Sequence, residues 1–159
     1  MCGIIGIQNN SEAATLAYMG LYAQQHRGQE GAGVVSSDGT VLHRHMGQGL
    51  VADVFSDSAV FDSLIGDSAI GHVRYSTTGN SDPKNVGPLT FNMGDYSLSI
   101  AHNGNLVNLD EIRKELQENG ALFQTSTDTE IIIHLLAREK GDTLADKLEK
   151  VLHKIEGAY

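Results

Sequence analysis

Met1-Cys2-Gly3-Ile4-Ile5-Gly6-Ile7 opens the chain, and Cys2 is its only cysteine. The run at 3–8 is short, apolar and rich in β-branched residues, which predicts a strand beginning almost at the terminus. Removal of Met1 before the small second residue exposes the Cys2 α-amine, whose ordinary pKa of ~7.7–8.0 suits it to act as a base. A thiol beside its own α-amine is a nucleophile with a built-in general base, needing no distant histidine. The other reading is a buried cysteine acting as a small hydrophobe. A lone cysteine excludes internal disulfides and any cysteine-built zinc or iron–sulfur site within this chain. The opening residues have neither a basic start nor a long apolar stretch, so they do not form a signal peptide, and a cytoplasmic location is expected.

The surrounding 159 residues carry 11 Lys plus Arg against 20 Asp plus Glu, a net charge of −9. That balance argues against nucleic acid or an anionic membrane as partner. The apolar run at 131–137 is too short to cross a bilayer. Glycine is enriched, at 18 residues, and it clusters beside His, Arg and Asn, where backbone can approach a small ligand closely.

Ser11 is expected to cap a helix over 11–25. Strands are predicted at 31–37 and 40–46, joined by a hairpin at Asp38-Gly39. Short helical pieces follow at 51–55 and 59–65, with strands at 68–75 and 96–102 and a mobile loop between them at 77–87. Helices are predicted at 108–119, closed by Gly120, then from Thr127 with Glu130 as a capping box, and from Asp142 to about 155. Glu156-Gly157-Ala158-Tyr159 reads as entry to another strand. This order of strands, helices, strands and helices favours a layered α+β domain over an alternating parallel sheet.

Four further clusters could carry chemistry. His26-Arg27-Gly28-Gln29-Glu30-Gly31-Ala32-Gly33 suits a loop lining a pocket, with Arg27 free to meet an anion or backbone carbonyls, or it simply ends a helix. In Gly71-His72-Val73-Arg74-Tyr75-Ser76-Thr77, Arg74 can grip a carboxylate bidentately and Thr77 can add a hydroxyl, or Arg74 is a solvent-facing ion pair. Asn103 and the Gly104 N–H can stabilise a tetrahedral oxyanion, or the pair is an Asn-Gly hairpin turn. Asp128 is either an ordinary first-turn acid or the receiver of an ammonium. His43-x-His45 lacks accompanying metal ligands, so no metal site is expected. A dyad of Cys2 with His26, His72 or His102 is conceivable without pairing evidence.

Jointly these motifs resemble the N-terminal glutaminase domain of the class II glutamine amidotransferases. They come in the family's order and span nearly the whole chain. The resemblance implies an N-terminal-nucleophile (Ntn) hydrolase fold, an αββα sandwich. It implies Cys2 as nucleophile on the glutamine carboxamide with its α-amine shuttling the proton, and Asn103 and Gly104 as oxyanion hole. It also implies Arg74 on the substrate α-carboxylate and Asp128 on its α-ammonium, with Arg27, Gly28, Tyr75 and Thr77 shaping the pocket.

The segments 25–33, 74–77 and 101–108 are most similar to the branch that aminates phosphoribosyl pyrophosphate in de novo purine synthesis. Another class II branch, such as the glucosamine-phosphate synthases, and a non-catalytic glutamine-sensing module of the same fold are the alternatives. In such enzymes a phosphoribosyltransferase domain binds phosphoribosyl pyrophosphate and Mg²⁺, and the whole assembles as a homo-oligomer. Nothing of that domain falls within residues 1–159, which read as a truncated glutaminase domain lacking its final strands. No cofactor is expected within this chain, and an iron–sulfur cluster, carried by some relatives, depends on cysteines outside it.

Overall fold

The computed structural model describes residues 1–75 and 82–159. They form two compact units, Met1–Asn103 and Gly104–Tyr159.

In the first unit β1 (Gly3–Ile7), β2 (Gly31–Ser37), β3 (Leu42–Gln48) and β4 (Ser68–Arg74) make an antiparallel sheet in the order β1-β4-β2-β3. The sheet has two covered faces, which explains why β2 is buried along almost its whole length instead of alternating. On one face lies α1 (Ala13–Ala23), which buries Ala13, Ala14, Ala17 and Leu21 against Ala32, Val34, Ala69 and Val73. Small residues on both sides let helix and sheet approach closely. A Cβ at Gly71 would come within 2.9 Å of the Leu21 side chain and 3.0 Å of Ile5. The short helices α2 (Val51–Val54) and α3 (Val60–Ser63) close the end of this core, where Tyr18, Phe55 and Phe61 pack ring to ring.

The opposite face is stripped of side chains at Gly31 and Gly33, and residues 85–88 lie across it. A Cβ at Gly31 would meet Val86 at 2.7 Å, and one at Gly33 would strike the Gly87 carbonyl. This segment continues into the hairpin β5 (Leu89–Asn92) and β6 (Ser97–Ile100). Ser99, Ile100 and Ala101 then line a cleft with Ile4, Gly6 and Ile70. Helix, sheet and hairpin therefore stack in layers, the order expected of the α+β reading.

The second unit contains β7 (Asn105–Leu106), α4 (Leu109–Glu118), α5 (Asp128–Arg138), α6 (Leu144–Leu152) and β8 (Gly157–Ala158), with β7 and β8 antiparallel. Ile131, Ile132, Ile133 and Leu136 of α5 are all buried, and Ile131 packs on Leu116 and Ala121. The Asn108 side chain ties the two short strands together. It donates to the Lys154 carbonyl at 2.9 Å and accepts from the Glu156 N–H at 3.0 Å.

Most predicted elements are present, and the departures have local causes. Ser11 does not cap α1: the helix follows Glu12 with no side-chain cap bond, and the Asn10 carboxamide accepts from the Glu12 N–H at 2.8 Å in the turn before it. The 31–48 hairpin turns over four residues, not two. The Asp38 carboxylate accepts from the Thr40 and Val41 N–H groups at 2.8 and 2.7 Å, which starts β3 at Leu42. Those two backbone bonds hold the Asp38 carboxyl down at about 2. Helix α6 is capped by Thr143, in a full capping box with Asp146, and not by Asp142. Strands β5 and β7 were not anticipated. At four and two residues they are too short for a periodic signal to show. Gly120 ends α4 with φ +82°, as expected of a glycine at that position.

Leu21 is wholly enclosed between α1 and the sheet. Leu21→Ala is expected to cost about 2–5 kcal/mol of stability. Urea unfolding measures this, and an unchanged midpoint would contradict the packing described.

Candidate functional site

The register of β1 on β4 pairs Gly3 with Val73. Cys2, one residue before the ladder, therefore arrives beside the Arg74-Tyr75 end of β4. Its sulfur takes the Tyr75 N–H at 3.4 Å and lies 3.6 Å from the Tyr75 carbonyl. The thiol is half-buried, so it is held in place and still reachable. Tyr75 leaves its own side chain about half exposed, at 51%.

Arg27 closes the other side of Cys2. A 3-10 turn over Gln25–Arg27 follows α1, and from it the Arg27 Nε donates to the Cys2 carbonyl at 2.9 Å. Of the two partners foreseen for Arg27, an anion or a backbone carbonyl, the carbonyl is the one it meets. Gly28 touches the same place from the backbone. A Cβ there would lie 2.5 Å from the Arg74 carbonyl oxygen, so only glycine lets the two chains pass. Arg74 donates from Nη1 to the Asn85 carbonyl at 3.1 Å and sets Nε 3.5 Å from the Glu30 carboxylate. Its side chain is mostly shielded and held on two sides, unlike the solvent-facing alternative.

His72, two residues before Arg74 on the same strand face, is only 6% exposed, with its ring against Gly87. Burial, then the Arg74 and His102 charges, push its pKa down to about 4, so the ring is neutral at pH 7. No hydrogen bond joins His72 to the Cys2 sulfur among the described residues. A Cys–His dyad through it has no geometric support.

Asn103 ends the first unit in irregular backbone and Gly104 begins the second. Because β6 pairs with β5 and β7 with β8, Asn103-Gly104 is not the turn of a hairpin. Asp128 is the first residue of α5, half-buried, in the first-turn position expected. Thr77 falls outside the described residues. Among those described, no group of three or more His, Cys, Asp or Glu side chains is placed to hold a metal ion. None of the described helices is long and apolar enough to cross a membrane.

Several residues that frame the site carried no role in the sequence reading. Gln24 donates to the Ile4 carbonyl at 3.2 Å. Gln25 spans two loops, donating to Gly28 O at 2.6 Å and accepting from the Val51 N–H at 2.6 Å. Asn85 and Glu30 hold Arg74. The only trace of the glutamines in the sequence is their place beside His26-Arg27-Gly28.

Residues 56–152 match the glutamine amidotransferase domain family, which gives the class of protein. The chain is 50% identical over 159 residues to amidophosphoribosyltransferase 2 (chloroplastic) of Arabidopsis thaliana, covering 99% of this chain and 28% of that one. Against the amidophosphoribosyltransferase of Bacillus subtilis it is 46% identical, covering 99% and 33%. Against that of Lacticaseibacillus casei it is 41% identical, covering 99% and 81%. A solved structure described as the allosteric regulatory enzyme of purine biosynthesis superposes with a TM-score of 0.94 at 44% identity, covering 100% of this chain and 34% of that one. The glutamine phosphoribosylpyrophosphate amidotransferase of B. subtilis, solved with ADP and GMP, gives 0.91 at 43% identity, covering 99% and 33%. The chain belongs to the amidophosphoribosyltransferase family of glutamine amidotransferases, and its fold is their N-terminal-nucleophile hydrolase fold. It spans about a third or less of the length of the Arabidopsis and Bacillus relatives.

His72 gives the site a pH signature. Its folded pKa of about 4 lies below the ordinary 6.5, so the unfolded chain takes up the proton first as pH falls. Its contribution to stability is complete above pH 6.5 and drains away between 6.5 and 4, up to about 3 kcal/mol if fully realised. His72→Asn should flatten the fall in urea stability across that window, while His134, also lowered by burial, retains its own share. An unchanged slope would count against a buried neutral imidazole.

Proposed function

We propose that this chain is a glutaminase that releases ammonia from L-glutamine, serving an amidophosphoribosyltransferase. In that reading the Cys2 sulfur attacks the side-chain carboxamide carbon, and the thiol proton passes through the Cys2 α-amine to the departing nitrogen. Ammonia leaves, and a glutamyl thioester remains on Cys2. Water, deprotonated by the same amine, then cleaves the C–S bond to give glutamate and return the thiol. Asn103 and the Gly104 N–H donate to the oxyanion in both steps. Arg74 holds the α-carboxylate and Asp128 the α-ammonium, because a zwitterion needs one fixed cation and one fixed anion.

The observation that carries this reading is the fixing of Cys2 on two sides. Its carbonyl is held by Arg27 and its sulfur by the Tyr75 main chain. A cysteine serving as core filler has no use for either restraint. Tyr75 and Gly28 shape the approach to it, and Thr77 adds a hydroxyl. The relatives named above favour the phosphoribosyl pyrophosphate branch over the glucosamine-phosphate synthases. Phosphoribosyl pyrophosphate, with Mg²⁺, would be met outside residues 1–159 and would accept the ammonia to give 5-phosphoribosylamine.

Cys2→Ala should reduce glutamine hydrolysis to background while glutamine still binds; turnover in that variant would sink the nucleophile assignment. Treatment with an electrophilic glutamine analogue should leave one adduct on Cys2, read by mass spectrometry. Glutamine binding without any adduct would favour a sensor. Neutralising either ion of the clamp, by Arg74→Gln or Asp128→Asn, should raise the glutamine KM about tenfold or more. A KM that stays put in both variants would contradict the zwitterion clamp.

A further inference from the structure

Glu130 stands where a capping box would put it, three residues after Thr127, yet it does not reach back to the Thr127 N–H. The Thr127 side chain makes no cap bond either. Instead the Glu130 carboxyl, only 1% exposed, turns into the preceding loop. One oxygen accepts from the Gln124 N–H at 2.9 Å. The other accepts from both the Thr125 N–H and the Thr125 hydroxyl at 2.7 Å. The Thr125 hydroxyl in turn lies 2.9 Å from that of Thr127 and accepts from the Thr127 N–H at 3.3 Å.

The carbonyls of the same loop are held from another helix. Arg113 of α4 directs its guanidinium to the Thr125 carbonyl at 3.4 and 3.5 Å and to the Thr127 carbonyl at 3.2 Å, with its plane over the Phe123 ring at 4.1 Å. His134, a turn beyond Glu130, stands 3.8 Å from its carboxyl, outside hydrogen-bond range. The N–H side of the loop is thus clamped by α5 and the carbonyl side by α4. The loop ends at Thr127, whose backbone angles set the direction in which the next residue, Asp128, enters the helix.

Burying a carboxyl to this extent is costly, and helix capping does not explain it here. A loop fixed at both its donors and its acceptors is what a binding group needs when it must be placed to within about half an ångström. We propose that Glu130, seconded by Arg113, is a positioning residue that aims the Asp128 carboxylate, and thereby sets the affinity for the α-ammonium of the substrate amino acid. This rests on the reading of Asp128 as receiver of that ammonium.

The test uses the full chain in a Cys2→Ala background, so that ligand is not turned over, and calorimetric titration with two ligands. One is L-glutamine; the other is glutaramate, the same molecule without the α-ammonium. Glu130→Gln replaces one acceptor oxygen by an NH₂ facing N–H donors. It should weaken glutamine about tenfold and leave glutaramate within about twofold. Added to Asp128→Asn, it should cause no further loss, since it acts through the group already removed. Equal weakening of both ligands, or losses that multiply in the double variant, would overturn the proposal. Should Glu130→Gln fail to fold, Thr125→Val removes a single hydroxyl at nearly constant volume. It is expected to give a smaller loss with the same selectivity for glutamine, and a loss shared equally by glutaramate would again overturn it. Asp128→Asn alone distinguishes the underlying reading, because unchanged glutamine affinity there refutes the Asp128 assignment whatever Glu130 does.

Discussion

The antiparallel pairing of β1 with β4, with Gly3 opposite Val73, is the constraint on which the rest of the first unit depends. Side chains alternate along a strand, so a slip of one residue would turn every β1 side chain to the wrong face. The register is protected by what covers each face. Ile5 and Ile7 meet the α1 core, and Ile4 and Gly6 face the cleft under β6. Because the ladder ends at Gly3, Cys2 is delivered to the end of β4, where Arg74 leaves the sheet. The place of Cys2 is therefore a consequence of sheet packing more than of any contact the cysteine makes itself.

Empty space does much of the remaining positioning. Gly20 and Gly71 let α1 settle onto the sheet beside Ile5 and Leu21, while Gly31 and Gly33 let residues 85–88 lie against its other face. That segment brings the Asn85 carbonyl to Arg74 and encloses His72. Arg74 thus gains its orientation from a part of the chain whose seat is a pair of missing side chains. Gly28 extends the same device to the edge of the site.

The elements most legible in the sequence were those with several turns or a seven-residue run bounded by a turn signal, such as α1, α4, α5 and β2. Their hydrophobic pattern and dihedral preferences are local properties. The caps were less legible. Ser11, Asp142 and Thr127 all have good capping chemistry, yet α1 starts without a side-chain cap, Thr143 takes the place of Asp142, and Glu130 is drawn away from Thr127. In each case the backbone path at the helix start decides which side chain, if any, supplies the bond. The candidate site was legible only as a set of residue types, since a thiol, an arginine, an acid and an Asn-Gly pair are chemically distinctive. Their supports, Gln24, Gln25, Asn85 and Arg113, are chemically ordinary and carried no signal.

By itself the sequence determined where a nucleophile could stand, where the longer helices and strands would form, and the family to which the ordered motifs point. These follow from short-range chemistry and from the spacing of distinctive residues along the chain. Only the tertiary structure decided what each polar group would hold. Arg27 reaches back 25 residues to the Cys2 carbonyl, the Cys2 sulfur meets a backbone 73 residues away, and Asn103-Gly104 is released from a hairpin because β6 and β7 take other partners. A guanidinium or a carboxyl bonds whichever carbonyl or N–H the fold brings within about 3 Å. That choice is made by sheet register and close backbone approach, which no local stretch of sequence contains.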